Sequence, residues 1–584
     1  MIVCGLKLTH DGAVALVEDG RLVFSVEMEK LANNPRYSTI SDLDVVPDVL
    51  AAFGYRPSDV HAWVVDGWDG DKPGTVETSV GGVPVELAVG PYRESVHSPD
   101  LVSPSVTGDI PVGGRARPYT SYTHAAGHVL STYCSSAFAR HGEPSFVLIW
   151  DGGMFPRLYW VDPATGVENG GSLFPLIGHT YATAGHHFGP FRRANQSDTV
   201  DDLSVAGKLM AYIALGEPRP PVLAVLRETF HASFESDTAE AVRYRGAVGG
   251  FGSLFEPSMP PLHAFYRTVR ERVEPLGLPD EDVLASVHLF LQELLAERLD
   301  ATIRRWKGDG PWNLCFAGGC ALNIKWNSAL RALPLVGAMW VPPFPNDAGS
   351  AIGAAALGMI RHTGIRPIDW HPRLGPALGP APGLPVDGTD GGLAPGLPDG
   401  WTARPCTPQE LARVLHDTGE PVVVLDGRAE LGPRALGGRS ILAAATRAET
   451  KDALNRIKGR EHYRPVAPIC LVEEAPAIFD PGTPDPHMLF DHAVRPEWLS
   501  RVPAVVHLDG TARLQTVAAQ DDPVLAGILT EYHRLSGVPV LCNTSANLNG
   551  SGFFPDVASA LAWGAVDRVW SGGTLYHRTA AAGS

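Results

Sequence analysis

The sequence predicts a duplicated α/β domain followed by a second, smaller α/β domain, and three observations predict it. The first thirty residues and residues 145–166 read as two copies of one strand meander, each with helical segments after it. A stretch dense in Pro and Gly, 366–402, then separates residues 1–365 from a fresh helix and strand pattern over 403–584. At 584 residues the chain is too long for one ordinary core, which agrees with several domains.

The opening meander runs "MIVCGLK", "AVALVED" and "RLVFSVEME", with Asp19-Gly20 as a hairpin turn. "SYTHAAGHVLSTYCSSAF" follows as a helix. At 100° per residue, His124, His128, Ser131 and Ser135 share one side, opposite Ala126, Leu130, Tyr133 and Ala137. The second meander, "SFVLIWDGGMFPRLYWVDPATG", ends its first strand in Asp-Gly-Gly. "PWNLCFAGGCALNIKWNSAL" reads as strand, glycine turn and helix, and "NDAGSAIGAAALGMI" as a small-residue helix that admits a close neighbour. Beyond the Pro/Gly stretch, "TPQELARVLHDTG" has a Thr start and a Gly stop, and "PVVVLDG" is a strand.

The formal charge of −17, from 47 Lys+Arg against 64 Asp+Glu, excludes a surface-wide affinity for nucleic acid or anionic membrane. Seven scattered cysteines form neither a disulfide framework nor a zinc ribbon. The N-terminus lacks a signal-peptide pattern, and no apolar run reaches the roughly 18 residues of a membrane span. A cytoplasmic enzyme is the expectation.

His124 and His128, four apart, are either ordinary helix histidines or half of a metal site, and the absence of Glu after His124 excludes the zinc-protease pattern. Asp151 and Asp347 each follow an apolar strand and precede glycine, where an α/β fold opens its ligand cleft; each could instead cap a turn. Gly318 and Gly319 could present backbone N–H groups to a nucleotide, or serve packing alone. Gly207-Lys208 is followed by Leu, which excludes a standard P-loop. In the last third, "GRAELGPRALGGRS" and "RIKGREHYRPVAP" concentrate Arg428, Arg434, Arg439, Arg456, Lys458, Arg460 and Arg464, and "TARLQT" adds Arg513. Such forks and charges suit a small, dense anion.

These motifs, in this order, resemble the ATP-dependent O-carbamoyltransferases of antibiotic biosynthesis and nodulation-factor modification across nearly the whole chain. The opening "HDGAVALVEDGRLVFSVEMEK" looks most like the branch holding the 3-hydroxymethylcephem enzyme. The resemblance implies an actin-like ATPase N-terminal domain, similar to tRNA threonylcarbamoyl-transfer enzymes, and a YrdC-like C-terminal domain that makes carbamoyl-adenylate. It implies carbamoyl phosphate, ATP with Mg2+ and a hydroxylated small-molecule acceptor as reactants. His124, His128, Asp151 and Asp347 then hold a divalent metal, iron(II) first, zinc or manganese as alternatives. His10 and Asp11 become catalytic, with His10 polarising the carbonyl or accepting the hydroxyl proton. Lys208, Gly318, Gly319 and Asn323 would meet ATP or the adenylate. Arg434, Lys458, Arg460, Arg464, Arg513, Asn543 and Ser545 would meet carbamoyl phosphate. A homodimer fits the family, and no nucleic-acid or membrane partner is expected.

The chain departs from the common pattern at "MEK" (28–30), Ala125 and Ser551-Gly552, the last leaving the anchoring of its loop open. Acceptor specificity is expected between about 170 and 265, where family motifs are sparse. A sugar kinase or ATPase of actin-like fold would leave the cationic domain and HxxxH unused. A tRNA-modification scaffold conflicts with the acidic charge.

Overall fold

The computed structural model describes residues 1–68, 70, 73–95, 100–192, 202–242, 244, 255–380 and 396–579. They divide into two compact units: Met1–Ser25 with Thr39–Trp370, and Val26–Ser38 with His371–Ser584. No helix among the described residues is long and apolar enough to cross a membrane.

Unit 1 carries strands β1 (Ile2–Lys7), β2 (Ala13–Glu18), β3 (Arg21–Glu27), β4 (Ala62–Val65), β5 (Gly74–Val80), β6 (Val83–Val89), β7 (Val106–Val112), β8 (Arg115–Ser121), β9 (Ser145–Ile149), β10 (Arg157–Asp162), β11 (Gly166–Ser172), β12 (Trp312–Ala317) and β13 (Val336–Trp340). One sheet has the order β3-β2-β1-β4-β8-β7 and another β11-β10-β9-β12-β13, while β5 and β6 pair by themselves. In both larger sheets a meander leads into parallel neighbours: β1 runs antiparallel to β2 and parallel to β4, and β9 runs antiparallel to β10 and parallel to β12. The hairpin signal holds, since Asp19 and Gly20 both take positive φ, 47° and 85°, as a type I′ turn requires.

The small-residue helix, Ser350–Thr363, packs at backbone distance. A Cβ on Gly353 would meet Gly127 O at 1.9 Å, and one on Gly5 would meet Ala351 O at 2.0 Å. Glycine is therefore what lets this helix touch both β1 and the helix His124–Cys134. That second helix starts at Thr123, whose side chain accepts from Ala126 N, and all eleven of its residues are buried. The polar side inferred for its histidines is thus as enclosed as its apolar one.

Unit 2 carries β14 (Trp401–Pro405), β15 (Val422–Leu425), β16 (Arg439–Ala444), β17 (Ala467–Leu471), β18 (Phe479–Asp480), β19 (His492–Val494), β20 (Thr511–Ala512), β21 (Gln515–Val517), β22 (Leu541–Ser545), β23 (Arg568–Ser571) and β24 (Thr574–Arg578). Eight form one sheet, β14-β24-β23-β15-β16-β22-β17-β21. Val423, Leu425 and Ile441 enter one hydrophobic cluster, and Val422, Val424 and Leu442 another, so both faces of the sheet are buried. The predicted helix, Pro408–Thr418, has a full capping box between Thr407 and Glu410 and ends at Gly419 in the left-handed region.

The unit boundaries differ from those expected in two places. Residues 26–38 belong with unit 2, because the buried Lys30 ammonium donates to Glu27 Oε1 (2.6 Å), Glu430 O and Gly432 O (2.8 Å). The Pro/Gly stretch is not a plain linker at its ends. Gly375 N donates to Ala429 O at 2.9 Å, Arg373 pairs with Asp426 and Asp522, and Trp401–Pro405 is an edge strand on β24. Composition reports conformational freedom and not pairing. Its middle, 381–395, lies outside the described residues.

Candidate active sites

The first site collects residues just past strand ends in unit 1, where an open α/β sheet places ligands. Lys7 ends β1, Asp66 follows β4, His124 follows β8, Asp151 follows β9 and Asp347 follows β13. One ligand atom from each of His124, His128, Asp151 and Asp347 lies within 4.8 Å of all the others, and all four residues are buried. His124 Nε2 is 3.1 Å from His128 Nε2, 3.4 Å from Asp347 Oδ1 and 3.8 Å from Asp151 Oδ2. Two imidazole nitrogens and two carboxylate oxygens at this separation fit a divalent cation such as iron(II), zinc or manganese.

The surroundings fix that geometry. His124 Nδ1 is hydrogen-bonded to Asp66 Oδ2 at 2.7 Å, which turns Nε2 toward the cluster. Lys7 Nζ stands 3.3 Å from Asp66 and 2.9 Å from Asp347 Oδ2, over the Trp68 ring at 4.2 Å. Asp347 is thereby held by Oδ2, with Oδ1 facing both histidines. Asp151 accepts from the Tyr92 hydroxyl through Oδ2, and from Gly319 N (2.7 Å) through Oδ1. Burial disfavours charge on Asp347, yet Lys7, His124 and His10 hold its carboxyl well below the usual carboxylate range. Burial likewise opposes charge on His124, but Asp347 and Asp66 outweigh it and raise its pKa well above the ordinary value. The cluster attracts positive charge to this point, whether a proton or a metal ion.

His10 lies beside the cluster, with Nδ1 3.0 Å from Asp11 Oδ2 and Nε2 3.6 Å from Asp347 Oδ2. Asn346 donates to the other Asp11 oxygen at 3.3 Å. Asp11 takes φ 55°, a left-handed turn position that presents the pair. Burial pulls the His10 pKa down, but Asp347 and Asp11 together leave it raised.

The predicted nucleotide residues take mixed parts. Gly318 has φ 87° and lies against Trp150 O, so packing requires it, while the Gly319 N–H serves Asp151. Asn323 caps the helix Ile324–Arg331 by accepting from Lys325 N and Trp326 N, and its Nδ2 is buried with no partner. Lys208 sits half-buried on the helix Asp202–Tyr212 and forms no ion pair among the described residues. Of the expected acceptor region, 193–201, 243 and 245–254 lie outside the described residues.

Two charged residues of the first site escaped sequence reasoning, as did Tyr92 and Trp68 beside them. Asp66 follows β4 in "WVVDG", the same strand-then-Asp-Gly signal that marked Asp151. Lys7 offered only a lone cation closing an apolar strand.

The second site lies in unit 2. The guanidiniums of Arg434 and Arg513 make no hydrogen bond or ion pair among the described residues, and the Nε of each is buried without a partner. Burial, with Arg36, Arg464 and Arg460 adding repulsion, pushes Arg434 down to about 10. Burial and then Arg464, Arg36 and Arg513 push Arg460 down to about 9. Burial with Arg434 and Arg464 lowers Arg513 well below the usual guanidinium range. The carboxylates nearest this group are Glu461, 3.7 Å from Arg464, and Asp485, whose oxygens accept from Leu489 N and Phe490 N.

The remaining predicted anion residues hold the scaffold. Lys458 Nζ donates to Ser545 O (2.8 Å), Asn547 O (2.8 Å) and Asn547 Oδ1 (2.5 Å), so all its protons are engaged in fixing that loop. Asn543 Nδ2 donates to Gln515 Oε1 at 2.7 Å and Ala435 O at 3.1 Å. Arg460 meets Thr544 Oγ1 at 3.1 Å and Ser545 Oγ at 3.4 Å, which aligns its fork along the loop. Arg428 and Arg439 spend their protons on backbone carbonyls.

A family model described as "Carbamoyltransferase N-terminus" matches residues 2–97 and 111–356, and "Carbamoyltransferase C-terminus" matches 412–570. Nodulation protein U of Rhizobium tropici is 51% identical over 577 residues, covering 99% of this chain and 96% of that protein. Nodulation protein U of Sinorhizobium fredii is 48% identical over the whole of both chains. The 3'-hydroxymethylcephem-O-carbamoyltransferase of Streptomyces clavuligerus is 32% identical, covering 99% of this chain and 100% of that protein. The chain thus stands nearer these nodulation proteins than the cephem enzyme, a shift from the branch its opening segment resembles. With family models matched in both units and relatives aligned end to end, the chain belongs to the carbamoyltransferase family and is an enzyme of carbamoyl transfer.

Proposed function

We propose that this enzyme makes carbamoyl-adenylate in unit 2 and transfers the carbamoyl group in unit 1 to a hydroxyl of a small-molecule acceptor. The observation that carries the reading is the set of guanidiniums without carboxylate partners around Arg434 and Arg513. Half-buried like charges of this kind call for a dense anion, and phosphate oxygens match guanidinium forks. Carbamoyl phosphate supplies such an anion. Water cleaves it to carbamate and phosphate, and the carbamate oxygen then attacks the ATP α-phosphorus and expels pyrophosphate. Lys458, engaged with Ser545 and Asn547, holds the loop on which Arg460 and Ser545 meet.

In unit 1 the acceptor hydroxyl attacks the carbamoyl carbon and AMP leaves. His124, His128, Asp151 and Asp347 would hold a divalent cation, iron(II) first, which supplies Lewis acidity for the charge that develops. His10, steadied through Asp11, polarises the carbonyl or takes the hydroxyl proton. Asn323 Nδ2 is offered to the adenylate beside the Gly318-Gly319 turn that seats Asp151, with Lys208 on the helix Asp202–Tyr212 as a further cation for it. The shared strand order of the two sheets, a meander leading into parallel strands, supports a duplicated actin-like domain. The eight-stranded sheet of unit 2 suits a YrdC-like one. The acceptor follows the named relatives in class: a hydroxylated metabolite, as in the cephem enzyme or in nodulation chemistry.

Product analysis tests this reading. ATP with carbamoyl phosphate should give pyrophosphate, and AMP once an acceptor is present. Formation of ADP instead would identify a kinase or ATPase of the same fold. A screen of hydroxylated metabolites under these conditions then finds the acceptor.

A further inference from the structure

We propose that Arg36 is a further phosphate-binding cation of the unit 2 site, delivered by the excursion of residues 26–38. The inference rests on the anion reading of that site given above. Three features of the segment carry it.

The first is how firmly the segment is fastened to the loop after β22. Pro35 forms an antiparallel bridge with Ser551, Arg36 N donates to Gly550 O at 2.9 Å, and Gly552 N donates to Asn34 O at 3.0 Å. A Cβ on Gly552 would meet Glu29 O at 1.9 Å, so glycine at this position of the departing Ser551-Gly552 pair permits a close backbone contact. The anchoring that the sequence left open is supplied by this segment.

The second is strain. Ala32, Asn33 and Tyr37 take φ of 51°, 57° and 64°, all in the left-handed region. Non-glycine residues there cost about 1 kcal/mol or more each, and such conformations persist where the surroundings over-determine them, often at ligand sites. A plain connector between elements needs none of them.

The third is charge. Ser551 O accepts from both Arg36 Nε (3.4 Å) and Asn547 Nδ2 (2.8 Å). Asn547 Oδ1 accepts from Ser545 Oγ at 2.7 Å, and that hydroxyl meets Arg460. Arg36 is therefore tied into the scaffold that positions Arg460, and its charge also bears on Arg434, Arg464 and Lys458. Arg36 has no carboxylate partner among the described residues. Holding one more guanidinium by its backbone among like charges is unfavourable alone, and becomes favourable when a multivalent phosphate lies within reach. Carbamoyl phosphate and the ATP triphosphate share that chemistry.

The test is calorimetric titration of the full chain with pyrophosphate, for wild type, Arg36→Gln, Arg36→Lys and Arg434→Gln. Arg56→Gln, an exposed site paired only with its neighbour Asp59, controls for the loss of one positive charge. Arg36→Gln should weaken binding about tenfold, the size of one charged hydrogen bond, with Arg56→Gln unchanged. Arg36→Lys should fall between, because it keeps charge and loses the fork. The source is read from pyrophosphate-release kinetics: Arg36→Gln should raise the KM for carbamoyl phosphate or for ATP, whichever phosphate it holds, with kcat near wild type. Binding by a folded Arg36→Gln within twofold of wild type, while Arg434→Gln loses it, overturns the role of Arg36 and leaves the site. Should Arg36→Gln fail to fold, wild-type affinity in Arg36→Lys overturns the role as well. Absence of pyrophosphate binding to wild type overturns both readings. Binding without carbamoyl-phosphate turnover removes the reaction and keeps Arg36 as an anion ligand.

Discussion

In unit 1 the carboxylates of Asp66, Asp151 and Asp347 are each met by donors from the protein itself; in unit 2 the guanidiniums of Arg434 and Arg513 meet no acceptor among the described residues. The unit 1 cluster is buried and Arg434 and Arg513 are half-buried, each with its Nε enclosed, so the contrast is one of partners as well as of exposure. A buried charge with partners tolerates a change of ligand, because its geometry is held by neighbours that stay. A buried charge without them is costly until its ligand arrives. Unit 1 is therefore built as a rigid seat, and unit 2 as a site whose stability is coupled to its substrate.

The largest effect expected from this contrast comes from emptying the seat. His124→Ala with His128→Ala removes both nitrogen donors, and should abolish bound metal and lower carbamoyl transfer by about a thousandfold or more. Carbamoyl-phosphate-dependent pyrophosphate release should stay near wild type. Metal analysis and the two product assays on one preparation check this, and parallel loss of pyrophosphate release would end the division of labour.

A smaller effect follows from removing one unpaired guanidinium. Arg434→Gln should raise the KM for carbamoyl phosphate by about 10- to 100-fold, since one charge-assisted fork is lost. The apo protein should melt no lower than wild type, because a repulsive buried charge is gone. A marked fall in the melting temperature would show that Arg434 has a protein partner after all.

Smaller again is the loss of one outer carboxylate in unit 1. Asp66→Asn keeps a hydrogen-bonding group beside His124 Nδ1 but loses the charge that orients the ring and meets Lys7. Metal affinity, titrated with manganese, zinc and anaerobic iron(II), should fall by about 10-fold, at the low end for such outer partners. Unchanged affinity would mean that Lys7 and Trp68 hold the seat without it.

The sequence made the local features of these sites legible, and the long-range ones only in part. Asp19-Gly20, the Thr407 start and Gly419 stop, and the small-residue helix rest on rules that act within a few residues, and each stands where the pattern put it. The two histidines could be set on one helix side, but only the packing of Gly127 against Gly353 explains why that side is buried. Lys458 read as an anion ligand because it stands among the cations of "RIKGREHYRPVAP". Its three acceptors at 545 and 547 are almost ninety residues away and leave no local trace. The pairing of Pro35 with Ser551 is longer still, so neither composition nor periodicity could assign residues 26–38 to unit 2.

The mildest test contrasts both clusters with a buried histidine pair in unit 1. His187 Nε2 and His263 Nδ1 are 2.9 Å apart, and one proton between them satisfies both. Burial, with His263 and then Arg267, His186 and Arg270 nearby, pushes His187 down to about 3. The unfolded chain, with an ordinary value near 6.5, therefore binds more protons than the fold between those limits. Stability from this residue is fully present above pH 6.5 and is lost as pH falls toward 3, about 2 kcal/mol of it by pH 5. In a chain of this size that is about 2 °C in melting temperature. His187→Gln keeps a donor toward His263 and removes the titration, so its melting temperature should fall less than wild type between pH 7 and pH 5. Equal slopes would mean that His187 is already charged in the fold, and that this pair, like the seat around His124, draws a proton in.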